Sequence, residues 1–107
     1  MRLFVYGTLV GSRTQRAVTG RVFAAHPARL CGHRREQPPG SYAYVLPDPS
    51  ASVLGVLLDG VDAASLARLD AYEDEGRLYV RRRALAEVDG RTVGCEVYVG
   101  RAIARGR

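Results

Sequence analysis

Apolar residues in this sequence recur mainly at every second position, in short runs closed by Gly, Pro or Asp-Gly. A period of two belongs to a half-buried strand. Only one stretch, residues 62–72, carries the three-to-four spacing of an amphipathic helix. One main helix among about five to seven strands excludes a helix bundle. The absence of regular strand–helix alternation argues against a doubly wound nucleotide-binding layer. The expected fold class is α+β, a small mixed, curled or barrel-like β-sheet with one main helix. The 107 residues can bury one core and leave one cleft, so the chain is read as a single domain, 1–107.

The punctuation places the elements. Residues 2–6 read as a short buried strand ended by Gly7, and Thr8 to Thr14 as a loop with a second glycine at position 11. Arg21 to Ala24 reads as a strand broken before Pro27, and Gly32 to Gly40 as an exposed basic loop. Residues 41–58 read as a hairpin turning at Pro47-Asp48-Pro49-Ser50. Asp62 is an apt N-cap for a helix to about Tyr72, with Leu66, Leu69 and either Tyr72 or Glu73 on one face. Leu78–Val88 and Arg91–Val99 form the closing hairpin around Asp89-Gly90, a turn that needs positive φ. Gly100 to Arg107 is expected to fray.

Charge and composition narrow the chemistry. Sixteen basic residues against eleven acids give a net charge of +5, but every basic residue is Arg, in a chain without Lys, Asn or Trp. That bias fits GC-rich coding, with Arg at ordinary Lys positions, and weakens an inference of nucleic acid binding. Without Lys there is no Walker A loop and no Schiff-base lysine. Two Cys lie 64 positions apart, without metal-site spacing, and Cys95 alternates with Val93 and Val97 as a core thiol. Cys31 and His33 flank Gly32, a weak signal for a thiolate–imidazole pair. No apolar run approaches the ~20 residues of a membrane span, and no signal peptide is read, so a cytoplasmic location is expected.

Two segments could carry chemistry. At Tyr6-Gly7-Thr8-Leu9-Val10-Gly11-Ser12 a buried strand opens into a glycine-bearing loop, where successive N–H groups could hold a carboxylate or an oxyanion. At Asp70-Ala71-Tyr72-Glu73-Asp74-Glu75 four acids crowd a helix end, against the helix dipole. Glu73 falls on or near the Leu66–Leu69 face. A carboxylate held there is partly desolvated and suited to proton transfer.

Together these segments resemble the gamma-glutamylcyclotransferase-like family, with its AIG2-like and gamma-glutamylamine cyclotransferase branches. The first signature is the strand followed by Tyr6-Gly7-Thr8-Leu9, and the second is Leu69-Asp70-x-x-Glu73 followed by Tyr79-Val80-Arg81. The closing hairpin ending Val97-Tyr98-Val99 also fits, so the likeness runs over residues 2–99. The resemblance implies a small mixed barrel with a cavity beside the first loop. It also implies release of 5-oxoproline from a small gamma-glutamyl amide, without cofactor or metal. Glu73 maps onto the catalytic acid/base, Tyr6, Gly7, Thr8 and Leu9 onto the substrate-holding loop, and Tyr79 onto a tyrosine lining the pocket. The family has Gly directly after its Glu, whereas Asp74 and Glu75 precede Gly76 here. Alignment on Glu-Gly would nominate Glu75. Glu73 is preferred because the Leu-Asp-x-x-Glu spacing lies on one helix. Two other readings are a non-catalytic module binding a small carboxylate, and a nucleic acid binder using Arg34, Arg35, Arg81, Arg82 and Arg83. The leaving amine and the oligomeric state stay open.

Overall fold

In a computed structural model, which describes residues 1–101, five strands close into a barrel. They are β1 (Leu3–Val5), β2 (Ala24–Glu36), β3 (Tyr44–Asp59), β4 (Tyr79–Val88) and β5 (Arg91–Gly100), in the order β1-β3-β2-β4-β5. All pairings are antiparallel except β1 with β5, where Leu3 and Phe4 run parallel to Glu96 and Val97. The sheet is therefore mixed, as expected. Two α-helices pack among the described residues: α1 (Ser12–Thr19) and α2 (Ala63–Glu73).

Alternation divides the core in two. Phe4, Leu30, Val45, Val53, Leu57 and Val97 fill the barrel. Leu3, Val5, Leu9, Phe23, Leu58 and Leu69 form a second cluster, between the outer wall and the helices. β1 is buried on both faces, as a strand must be when it is paired on both edges and covered on both sides. Opposite it, Gly55 makes room: a Cβ there would lie 2.5 Å from the Val5 carbonyl oxygen and 2.6 Å from Cζ of Phe4.

The expected main helix is present, and Asp62 caps it by accepting a hydrogen bond from the Ser65 N–H at 3.3 Å. The closing hairpin also stands, with Asp89 (φ 51°) and Gly90 (φ 76°) in the left-handed region. Gly100 ends β5 instead of fraying, and residues 102–107 of the expected tail lie outside the described residues.

Other expectations change. Ser12 to Thr19, whose first three residues read as loop and the rest as no element, is helix α1, which has no apolar stripe to announce it. A buried side chain holds it: Gln15 donates to the Leu9 carbonyl at 2.9 Å and accepts from the Phe23 N–H at 3.2 Å. β2 starts at Ala24 and runs through Pro27 into the supposed basic loop. Pro27 faces Val56 on one edge, while the pairing with β4 involves only Arg29 and Leu30, so its missing N–H interrupts no central ladder.

The hairpin expected within 41–58 is one strand, β3, and the true reversal lies between β2 and β3. Asp48 and Ser50 do form a local turn, with the Asp48 carboxylate accepting the Ser50 N–H at 3.0 Å. That turn is absorbed as a bulge. Cys31 pairs with Ser52 and His33 with Pro47, so two steps along β2 match five along β3. Gly32, at φ 68°, sits at the irregularity. Before it Ala28 and Leu30 point inward; after it Arg35 lies opposite inward-facing Val45. The bulge thus changes which alternate residues of β2 face the barrel interior.

No helix among the described residues is long and apolar enough to cross a membrane.

Gly55→Ala tests the close contact with β1. We expect it to destabilise the fold by about 1–3 kcal/mol through overpacking, read as a lower urea midpoint. An unchanged midpoint would contradict the contact.

Candidate active site

The barrel opens beside the end of β1 into a cavity of about 330 Å³. Tyr6, Gly7, Thr8, Leu9, Glu73 and Tyr79 all line it. The structure therefore brings together the loop, acid and tyrosine that the resemblance implies, while the alternative Glu75 lies outside the cavity lining. β1 delivers Tyr6, and Thr8–Val10 coil into a single 3₁₀ turn. That turn closes with the Val10 N–H on the Gly7 carbonyl at 3.1 Å. Thr8 and Leu9, which come earlier in the turn, keep their N–H groups outside that bond. The Thr8 hydroxyl meets the Tyr72 hydroxyl at 2.9 Å, tying the loop to α2 beside Glu73. The Tyr79 hydroxyl donates to the Ala43 carbonyl at 2.9 Å, and the Tyr6 hydroxyl to the Tyr98 carbonyl at 2.7 Å.

A model of the family described as gamma-glutamyl cyclotransferase, AIG2-like, matches residues 3–106. The chain belongs to this family. A solution structure from Arabidopsis thaliana superposes with a TM-score of 0.83 at 27% identity, covering 92% of this chain and 61% of the plant protein. An AIG2-like protein from Mus musculus gives 0.68 at 26% identity, covering 92% of this chain and 75% of its own. A structure named gamma-glutamyl cyclotransferase gives 0.74 at 18% identity, covering 94% and 66%; at that identity the likeness is one of fold. No curated protein matches. The chain spans about three fifths of the length of the plant protein it matches.

In this AIG2-like chain the four acids at the end of α2 have different fates. Asp70 accepts from Arg81 at 3.0 and 3.2 Å and from the Tyr98 hydroxyl at 2.6 Å. Arg81 also reaches Glu96. Asp74 adopts the left-handed cap conformation and pairs with Arg77 at 2.6 Å. Glu75 is exposed and accepts the Arg81 N–H at 3.2 Å. These partners offset the unfavourable helix-end charge. Glu73 has no hydrogen bond or ion pair among the described residues, and its half-buried carboxyl is pushed up to about 7 by burial. Burial also raises Tyr6 and Tyr79, and the nearby Glu73 charge raises both further.

Sequence reasoning missed part of the wall. Arg35 and Gln37 line the cavity, although residues 32–40 read as an exposed loop, and so does Tyr42, which reads only as part of a hairpin. Tyr98 lines it too; the sequence placed it in the closing hairpin that fits the family resemblance but gave it no place in the site. His33 and Cys31 form no catalytic pair here, because the imidazole Nδ1 meets the Cys31 carbonyl at 2.8 Å. Of the arginine triplet, Arg81 is already engaged with Asp70 and Glu96. Among the described residues no three His, Cys, Asp or Glu side chains gather as a metal ion would need.

The raised Glu73 value has a thermodynamic sign. The folded state holds a proton that an ordinary Glu, at 4.5, has lost. Stability contributed by this group therefore falls as the pH rises from about 4.5 to about 7 and stays reduced above that. We expect Glu73→Gln to melt several degrees above the parent at pH 8, with a much smaller gap at pH 5. A gap that does not widen between the two pH values would contradict the desolvated carboxylate.

Proposed function

We propose that this chain cleaves gamma-glutamyl amides by intramolecular cyclisation, releasing 5-oxoproline and a free amine, with Glu73 as general acid/base. The observation that carries the reading is a partly buried, unpaired carboxylate sharing one cavity with the Tyr6–Leu9 loop.

The substrate supplies its own nucleophile. Its α-amine attacks the γ-carbonyl carbon, forming the ring C–N bond, and the bond to the leaving amine then breaks. An α-ammonium with pKa of about 8 must first lose a proton. Passing it to a carboxylate at about 7 costs on the order of 1 kcal/mol, against roughly 5 for an ordinary Glu. The carboxyl returns that proton to the departing nitrogen, and the second proton shed by the ring nitrogen on cyclisation follows the same route, so the amine leaves as its ammonium and the carboxylate is regenerated. Nothing is consumed, and the reaction needs no protein nucleophile.

The remaining lining suits orientation. Closing a flexible glutamyl chain to a five-membered near-attack geometry is a positioning problem, which a cavity of this size addresses. The Thr8 and Leu9 N–H groups supply donors for the carbonyl oxygen as it gains charge, or for the α-carboxylate. Asp70, clamped by Arg81 and Tyr98, fixes the last turn of α2, and with it Glu73.

Assaying 5-oxoproline release from a panel of gamma-glutamyl amides tests the reading. Glu73→Gln should lower turnover by at least ~10²-fold while the protein remains folded, and Glu75→Gln should be nearly neutral. The kcat/KM profile should be bell-shaped, with its acid limb near 7 from Glu73 and its alkaline limb near 8 from the substrate amine. If the panel yields no 5-oxoproline but the compounds bind, the carboxylate-binding module becomes the better account.

The loop assignment has its own test. Gly7 lines the cavity and Gly11 does not. Gly7→Val should therefore weaken binding of 5-oxoproline more than Gly11→Val, measured by titration calorimetry. Equal effects would leave the loop without a binding role.

A further inference from the structure

We infer that Arg35 is a specificity-determining residue that receives a carboxylate of the ligand in the Glu73 cavity. This assignment rests on the reading just given and adds the group that selects among its substrates.

Three observations carry it. Arg35 lines the cavity wall from the end of β2. It has no ion pair among the described residues, and its only side-chain hydrogen bond is a long one, 3.4 Å, to Gln37, another lining residue. Its neighbour behaves differently. Arg34 points to the other face and is held by Glu36 at 2.8 Å. The chain thus neutralises one of two adjacent arginines and leaves the cavity-facing one unpaired.

The electrostatics of the cavity agree. Arg35 and Glu73 are its charged lining residues, of opposite sign and without an ion pair among the described residues. The Tyr6 hydroxyl feels both, since Glu73 opposes its ionisation and Arg35 favours it. A ligand with an ammonium and a carboxylate complements such a pair, the first meeting Glu73 and the second Arg35. A guanidinium binds a carboxylate through two parallel N–H donors, which sets orientation as well as affinity.

That carboxylate has two possible sources: the α-carboxylate of the glutamyl group, or a carboxylate on the leaving amine. The probes are 5-oxoproline, gamma-glutamylglycine and gamma-glutamylmethylamide, used with the parent protein, Arg35→Gln and Arg35→Lys. Binding is read by calorimetry and turnover by 5-oxoproline release. Arg35 is an exposed strand residue, and matching melting curves will establish that each variant is folded.

If Arg35 takes the α-carboxylate, Arg35→Gln should weaken 5-oxoproline binding and raise KM for both amides, roughly tenfold to a hundredfold, with kcat little changed. If it takes a leaving-group carboxylate, only gamma-glutamylglycine should suffer. Arg35→Lys should restore part of the loss in either case. Turnover with unchanged KM for both amides and unchanged 5-oxoproline binding would overturn the Arg35 assignment and leave the proposed reaction standing. Ligand binding that Arg35→Gln weakens, in a parent that releases no 5-oxoproline, would do the reverse. A parent that binds none of the three probes would overturn both.

Discussion

The structure depends on three residues, Leu3–Val5, closing a barrel. β1 is short, yet it is paired to β3 on one edge and to β5 on the other. Phe4 enters the barrel while Leu3 and Val5 face the helices, so this one strand belongs to both cores. Gly55 is the counterpart of that placement, because any larger residue would meet Phe4 and the Val5 carbonyl. The cavity loop follows directly, so the backbone that enters the site is anchored in the best-buried part of the fold. The parallel pairing with β5 also brings Tyr98 to the cavity, where its carbonyl fixes the Tyr6 hydroxyl.

The second organising constraint is unequal pairing of charge. Around the end of α2, Asp70, Asp74 and Glu75 each find a donor, and Glu73 does not. The paired carboxylates serve as struts. An unpaired one, withdrawn from water, can be protonated or not at neutral pH for little free energy. The same division recurs on β2 with Arg34 and Arg35. Each group of neighbours leaves one charge without an ion pair among the described residues, Glu73 of four acids and Arg35 of two arginines, and both line the cavity.

Legibility in the sequence followed the range of the forces involved. Helix α2, its Asp62 cap and the Asp89-Gly90 turn were readable because their causes lie within a few residues. So was the grouping of Tyr6–Leu9 with Glu73 and Tyr79, though only through family-like motifs, since periodicity does not say which loops meet. Helix α1 was not readable, because it is held by Gln15 reaching backbone groups at Leu9 and Phe23 and not by an apolar stripe. The prolines of β3 and the basic stretch of β2 looked like turn and loop by composition. Their long pairing with one another overrides that local preference. Arg35 stood out in the sequence only among the arginines of a nucleic acid binding alternative, and its place in the wall follows from register.

The bulge at Gly32 makes that register a matter of parity. With its left-handed residue in place, the positions after it that face inward differ by an odd number from those before it. Removing Gly32 altogether would leave simple alternation from Leu30 still ending with Arg35 inside. Replacing Gly32 with a β-branched residue, which resists positive φ, would favour ironing the bulge flat and would turn Arg34 and Glu36 toward the cavity instead. At this point the fold is more tolerant of losing a residue than of changing one. A lineage of such chains could therefore exchange the charge presented to its ligand through the backbone conformation at residue 32 alone, without substituting Arg34, Arg35 or Glu36.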